Sequence, residues 1–329
     1  MNRQQFENRN AERWREYEQM VQELEQKRRP ENVHRLPGLF RQICTDLALA
    51  ENRAYGLGLS ERLNDLVIRG YRFIYRGVGS GLHSMVQFFV YTFPREVRRN
   101  QRLFWLCFAM LFGPFIPFLF AAKFAPEWIE LFLGEATMAQ MESSFGDDAT
   151  LEGMRGEFSS DFAMFGFYIL NNVSIAFRIF AGGILLCVGT LFFLGYNGLH
   201  FGAAIAYVHY ALNKEKFYSF VSTHSSWELL GFVIAGVAGM RIGLAILHPG
   251  RHSRRGSLAI AGKKAVTLLY GGATMIFIAA IFEGFVSASD LKPLGKYMLG
   301  IGFWIMFAAY FTFCGRRGSG APEPTSEAP

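Results

Sequence analysis

Residues 95–122 read REVRRNQRLFWLCFAMLFGPFIPFLFAA. Leu103 to Ala122 carries no charge, and its length matches the roughly 20 apolar residues a helix needs to cross a bilayer. Pro114 and Pro117 predict a kink within it. Arg95, Arg98, Arg99 and Arg102 precede it, so the positive-inside rule places its N-terminal end in the cytoplasm. The whole chain fits that reading: of 329 residues, 51% are hydrophobic, 16% aromatic and only 18% charged, with 34 Phe and a net charge of +6. A soluble domain carries about 25% charged residues, so lipid is part of this protein's solvent. Disorder, a disulfide-stapled secreted domain and an ordinary cytosolic enzyme are excluded. The four cysteines, Cys44, Cys107, Cys187 and Cys314, are scattered without a CxxC and read as small apolar residues. The opening MNRQQFENRNAERWREYEQ has no apolar core, so no cleavable signal peptide is expected.

Upstream of the span, residues 1–102 hold 18 Lys/Arg against 12 Asp/Glu and are expected to face water. Trp14, Tyr17, Val21 and Leu24 recur at helical spacing, which predicts an amphipathic helix. A second helix is expected from Leu39 to about Ala54, and a third from an N-cap at Ser60. Arg69, Arg72 and Arg76 share one face of the third helix, and the apolar MVQFFVYTF that follows is too short to span. This basic, then aromatic, stretch predicts a helix in the membrane interface, with anionic lipid as its partner. The alternative is a packed cytoplasmic bundle.

Downstream, residues 123–161 carry nine Asp/Glu against Lys123 and Arg155, which places them on the outer side. PEWIELFL and LEGMRGEF are expected to be amphipathic, with Leu151, Met154, Phe158 and Phe162 sharing a face. The apolar run 162–212 contains the turn dipeptide Asn197-Gly198, which divides it into one span near 175–196 and another from about 199. Trp227–Leu247 is a further span, with Gly231, Ala235, Gly239 and Gly243 at four-residue intervals as a helix-packing face. The acid-free loop His248–Lys264 belongs in the cytoplasm. Spans Ala265–Phe282 and Tyr297–Cys314 follow, before Arg316-Arg317 and a Pro/Ser/Gly/Ala tail.

Six spans put the basic segments at 95–102, 248–264 and 316–317 on one side. The expected fold is therefore all-α, a polytopic helical membrane protein of about six transmembrane helices. Its regions are a cytoplasmic helical one, 1–102, a transmembrane one, 103–315, and a disordered tail, 316–329. Both termini lie in the cytoplasm in this reading.

The stretch LNNVSIAFRIFAGGILLCVGTLFFLGYNGLHFGA, 170–203, followed by HSSWELLGFVIAGVAGMRIG, 224–243, resembles the stage II sporulation protein M family. The likeness rests on Asn171-Asn172, the glycine-rich helix, Asn197-Gly198, His224 with Glu228, and the run ending at Gly243. It covers roughly 160–315, and the first hundred residues resemble the cytoplasmic extension of non-sporulating members. Ser225 stands where the family usually has Gly. In spore formers the resemblance implies a membrane anchor for a peptidoglycan-remodelling complex during engulfment. In other bacteria it implies a membrane protein of the inner membrane with no settled activity.

His224 and Glu228 are four residues apart, hence on one helix face. Such a pair could bind a metal, relay a proton or bond internally, but zinc needs a third ligand and no HExxH supplies one; His200 and His209 are near only in sequence. The simplest expectation is a buried Glu228 paired with Arg178 or Arg241, with Asn171, Asn172 and Ser174 as interhelical hydrogen-bonding groups. No phosphate loop or nucleophile elbow occurs, so no catalytic residue, metal or cofactor is assigned. The Arg-rich 248–264 reads as a topology or anionic-lipid signal, not as a nucleic-acid site. The expected role is a non-enzymatic scaffold or membrane-organising subunit of an envelope complex, self-associating through its small-residue faces. The alternatives are a transporter or channel with a polar pathway at Arg178, Glu228 and Arg241, and an intramembrane metal hydrolase.

Overall fold

The computed structural model describes residues 2–316 apart from 27, 29, 76–80 and 149–159. The segment LEGMRGEF, Arg76, Arg317 and the Pro/Ser/Gly/Ala tail lie outside the described residues. Among those described there is helix and no strand. The chain divides into two compact units, Met1–Val86 and Gln87–Pro329.

The first unit is built from α1 (Arg3–Glu25), α2 (Leu36–Asn52) and α3 (Leu57–Tyr75). Asn2 and Gln5 close a capping box at the start of α1, satisfying two backbone N–H groups that the helix leaves open. The helical-spacing residues Trp14, Tyr17, Val21 and Leu24 are buried, together with Leu39, Phe40, Ile43 and Leu63. One carboxylate lies inside this apolar core: Asp46 Oδ2 accepts from Trp14 Nε1 at 2.8 Å and from Arg13 Nη2 at 2.5 Å. Ser60, expected as an N-cap, sits inside α3, which begins at Leu57 after the positive-φ Gly56.

The second unit holds six helical segments long and apolar enough to cross a membrane. After α4 (Phe93–Arg99), the first span is α5 (Gln101–Phe112) and α6 (Phe115–Phe124), broken at Gly113-Pro114. Two short helices follow, α7 (Glu127–Leu133) and α8 (Glu135–Phe145). Then come α9 (Asp161–Ala181), α10 (Val188–Ala211), the short α11 (Lys214–Ser222), α12 (Ser225–Leu247), α13 (Arg254–Ile281) and α14 (Pro293–Phe313). A π-helical turn, Phe282–Ser287, continues α13. Side chains such as Trp105, Phe120, Phe177, Phe192 and Met298 point outward, as a lipid-facing surface requires. Residues 93–100, grouped by charge with the first region, pack in this second unit, where the Phe93 ring meets Tyr310 and Phe311.

The division of 162–212 differs from the sequence expectation. The chain turns at 182–187, not at Asn197-Gly198, which lies within α10. Leu186 and Cys187 take φ of 53° and 71°, a conformation that non-glycine residues rarely adopt, so the turn leaves no Asn-Gly signature. Asn197 Nδ2 instead donates to Phe193 O at 2.7 Å one turn back. The basic stretch is also shorter as a loop than expected, because Arg254, Arg255, Lys263 and Lys264 belong to α13.

The α12 helix is the axis of this unit and is mostly buried. Gly231 faces Ile276 of α13, while Gly239 and Gly243 receive the 182–187 turn, close to Thr190 and Cys187 respectively. Ala235 is buried among them. The small-residue face is thus consumed inside the chain and is not a free surface for self-association. Successive spans alternate in direction. Arg98 Nη1 donates to Phe311 O at 3.0 Å, bringing the start of the first span beside the end of the last. At the other end, Lys216 Nζ donates to Gly146 O and Asp147 O at 3.0 and 2.8 Å.

Candidate functional site

His224 caps α12, and Glu228 lies one turn into that helix. Their i, i+4 spacing aims both side chains to one side, and His224 Nε2 is 3.8 Å from Glu228 Oε2. The same nitrogen is 3.8 Å from Glu283 Oε1, contributed by the π-turn at the end of α13. Ligand atoms of the three side chains all lie within 4.8 Å of one another. All three residues are buried, at 4%, 9% and 8% exposure. That burial decides their chemistry, since charge this deep must be neutralised locally.

His224 and Glu283 each have a support. His224 Nδ1 lies 3.0 Å from Ser287 Oγ, which in turn donates to Phe282 O at 3.0 Å. The ring is thereby oriented with Nε2 toward the carboxylates. Asn172 Nδ2 of α9 donates to Glu283 Oε2 at 3.3 Å, and Asn171 Nδ2 donates to Asn172 Oδ1 at 3.0 Å. Lys296 Nζ donates to the carbonyls of Ser287 and Ser289 at 2.7 and 2.9 Å, tying α14 to the end of the π-turn. Single π-turns inside α-helices are frequent at functional sites. Here the turn brings both Glu283 and Ser287 to His224.

The cluster lines a cavity of about 360 Å³. The cavity wall is largely apolar, with Phe115, Tyr168, Phe201 and Phe220 among its residues, and also includes His200. Apolar walls around a few convergent polar groups are the usual form of a small-ligand site. Among the described residues, neither Glu228 nor Glu283 has an arginine or lysine nitrogen within 4.0 Å. The expected Glu228–arginine pair is therefore absent.

The two arginines are elsewhere for geometric reasons. Arg241 is 13 residues along α12 from Glu228, about 20 Å at 1.5 Å per residue. It donates from Nη1 to Asn100 Oδ1 at 2.7 Å and lies 4.0 Å from Glu96 Oε1. Arg178 is exposed and lines a separate cavity of about 280 Å³ with Tyr196 and Asn197. Arg178, Glu228 and Arg241 thus occupy three separate environments and do not form one pathway. Of the residues singled out in the sequence, the structure brings together His224, Glu228, Asn171 and Asn172. Glu283 and Ser287 are the ones that sequence reasoning missed. The signal for Glu283 was an acid in the apolar run IFEGFVSA, which continues α13 instead of leaving it. In the first unit, Arg69 makes two hydrogen bonds to Glu25, while Arg72 is exposed.

The family model described as Stage II sporulation protein M matches residues 103–288, and a domain of unknown function (DUF8413) matches residues 4–76. No curated protein and no solved structure matches the chain.

Proposed function

The chain belongs to the stage II sporulation protein M family, and from that premise we propose that its membrane unit takes up a cation in the cavity floored by Glu228 and Glu283. The observation that carries this reading is the pair of carboxylates facing His224 Nε2 with no lysine or arginine nitrogen within 4.0 Å of them among the described residues. Two such groups cannot both stay bare in a low-dielectric interior; a proton or a metal cation must sit between them. A scaffold needs no cavity at its buried acids. This reading keeps the transport-type alternative and relocates its polar centre to His224, Glu228 and Glu283.

In this proposal the protein sits in the bacterial cytoplasmic membrane. The ends of the bundle near Arg98 and Arg254 face the cytoplasm, and the acidic end near Asp147 faces out. The cavity is then entered from outside. The test is reconstitution of the full chain in liposomes, with uptake of protons, sodium, zinc and manganese measured beside the Glu228→Gln/Glu283→Gln variant. Uptake of one of these cations that the variant loses is the expected result. Uptake of all four equal to that of empty liposomes would overturn the proposal and return the scaffold reading.

A further inference from the structure

We infer that His224 Nε2, Glu228 and Glu283 form a binding site for a divalent first-row transition-metal ion. The inference rests on the cation reading above and specifies the class of cation.

The donor set and its spacing carry the argument. Nitrogen and carboxylate ligands hold zinc at about 2.0–2.2 Å. Two ligands sharing a tetrahedral ion are then about 3.4 Å apart, and wider angles open this further. His224 Nε2 stands 3.8 Å from each carboxylate, and the three ligand atoms lie within 4.8 Å of one another, so the side chains close inward to hold one ion between them. With Nδ1–H donating to Ser287 Oγ, Nε2 offers its lone pair to the ion. Metal-bound histidines are commonly fixed in this way through the other ring nitrogen. Asn172 does the same for Glu283, holding Oε2 and leaving Oε1 nearest the imidazole.

The cavity supplies an independent observation. Glu228 is buried and faces open space, and its carboxylate accepts no hydrogen bond among the described residues, with His224 Nε2 at 3.8 Å. A three-ligand site beside open space leaves coordination positions for a small ligand, as in metal sites that do more than hold a fold. Imidazole with two carboxylates suits zinc, manganese or iron(II). Calcium, which takes 6–8 oxygen ligands, is not accommodated by one nitrogen and two carboxylates.

The experiment uses full-length protein purified in detergent, stripped with chelator, and titrated with Co²⁺ as a spectroscopic probe for zinc. The expected result is one Co²⁺ retained per chain after gel filtration, with visible absorption bands that zinc abolishes. Glu283→Gln should lose the bands while keeping the gel-filtration profile. Asn172→Leu, which removes only the support, should weaken Co²⁺ binding by about 10- to 100-fold. Absence of retained Co²⁺ in a folded wild-type protein overturns the metal inference. If carboxylate-dependent uptake of protons or sodium persists in liposomes, the wider cation reading survives; if all uptake is absent too, both fall. Equal retention by wild type and Glu283→Gln would also overturn this site.

Discussion

Asn172 Nδ2 donates to Glu283 Oε2 at 3.3 Å, joining α9 to the π-turn that ends α13. Both residues are buried, at the wall of the cavity. Replacing Asn172 with Leu leaves a carboxylate oxygen without its donor, at a cost of about 1–3 kcal/mol. Asn172→Leu is expected to unfold at lower temperature than wild type in metal-free detergent solution. An unchanged melting temperature would show that this bond does not hold α9 to the site.

Glu228→Gln should behave in the opposite way. A carboxylate in a buried ion pair costs about 3–5 kcal/mol to remove, because its partner is left stranded. Glu228 has no such partner, and its closest ionisable neighbours are His224 and Glu283. Gln keeps the shape and spares the cost of burying a second acid beside Glu283, so metal-free Glu228→Gln should melt at the wild-type temperature or above it. Arg241→Gln, which breaks the contacts to Asn100 and Glu96, should lower stability by the same amount with or without Glu228→Gln, as distant sites do. A clear loss in the Glu228 single variant, recovered by Arg241→Gln, would contradict the geometry.

The six spans were legible because uninterrupted apolar runs between charged ends leave a membrane helix little choice. The turn at 182–187 was not, since Leu186 and Cys187 adopt left-handed φ without a glycine to announce it. Asn197-Gly198 misled for a related reason. In water the dipeptide turns, whereas in α10 the Asn side chain satisfies itself on Phe193 O, and Gly198 lies against Leu111 of the first span. His224 and Glu228 were visible through their i, i+4 spacing. Glu283 was hidden by the start assigned to its helix. Counted from Ala265, a span ends at Phe282 and leaves Glu283 in a loop. The helix instead begins at Arg254 and its π-turn runs to Ser287, carrying Glu283 into the core.

Gly183 and Gly166 offer a paired test of the packing around α12. A Cβ on Gly183 would lie 2.1 Å from Gly239 O, a backbone atom that cannot swing aside, whereas a Cβ on Gly166 meets nothing within 4 Å. Gly183→Ala must separate the turn from α12 and should lose about 1–3 kcal/mol or more. Gly166→Ala, inside α9, should be neutral or gain about 0.5–1 kcal/mol from helix propensity. Thermal unfolding of the two variants side by side checks this. Equal stability would mean that the turn does not dock on Gly239.

The first unit carries its own pH dependence. Arg69 Nε and Nη2 donate to the two oxygens of Glu25, each at 2.9 Å. These bonds hold the Glu25 carboxyl below its ordinary pKa and raise that of the guanidinium. In the unfolded chain Glu25 titrates near about 4.3. Its pairing therefore contributes fully above that value and is lost as pH falls through the lower folded value. With side chains 25% and 39% exposed, solvent screening limits the pair to about 0–1 kcal/mol. Arg69→Gln should thus lower the melting temperature of the first unit modestly at neutral pH. The difference from wild type should shrink below about pH 4, as the unpaired carboxyl protonates in both states. Asp65, 3.4 Å from Arg69 Nη1, is a further acidic neighbour of the same arginine. A deficit that stays constant from neutral to acid pH would mean that Arg69 acts through the packing of its aliphatic stem and not through its charge.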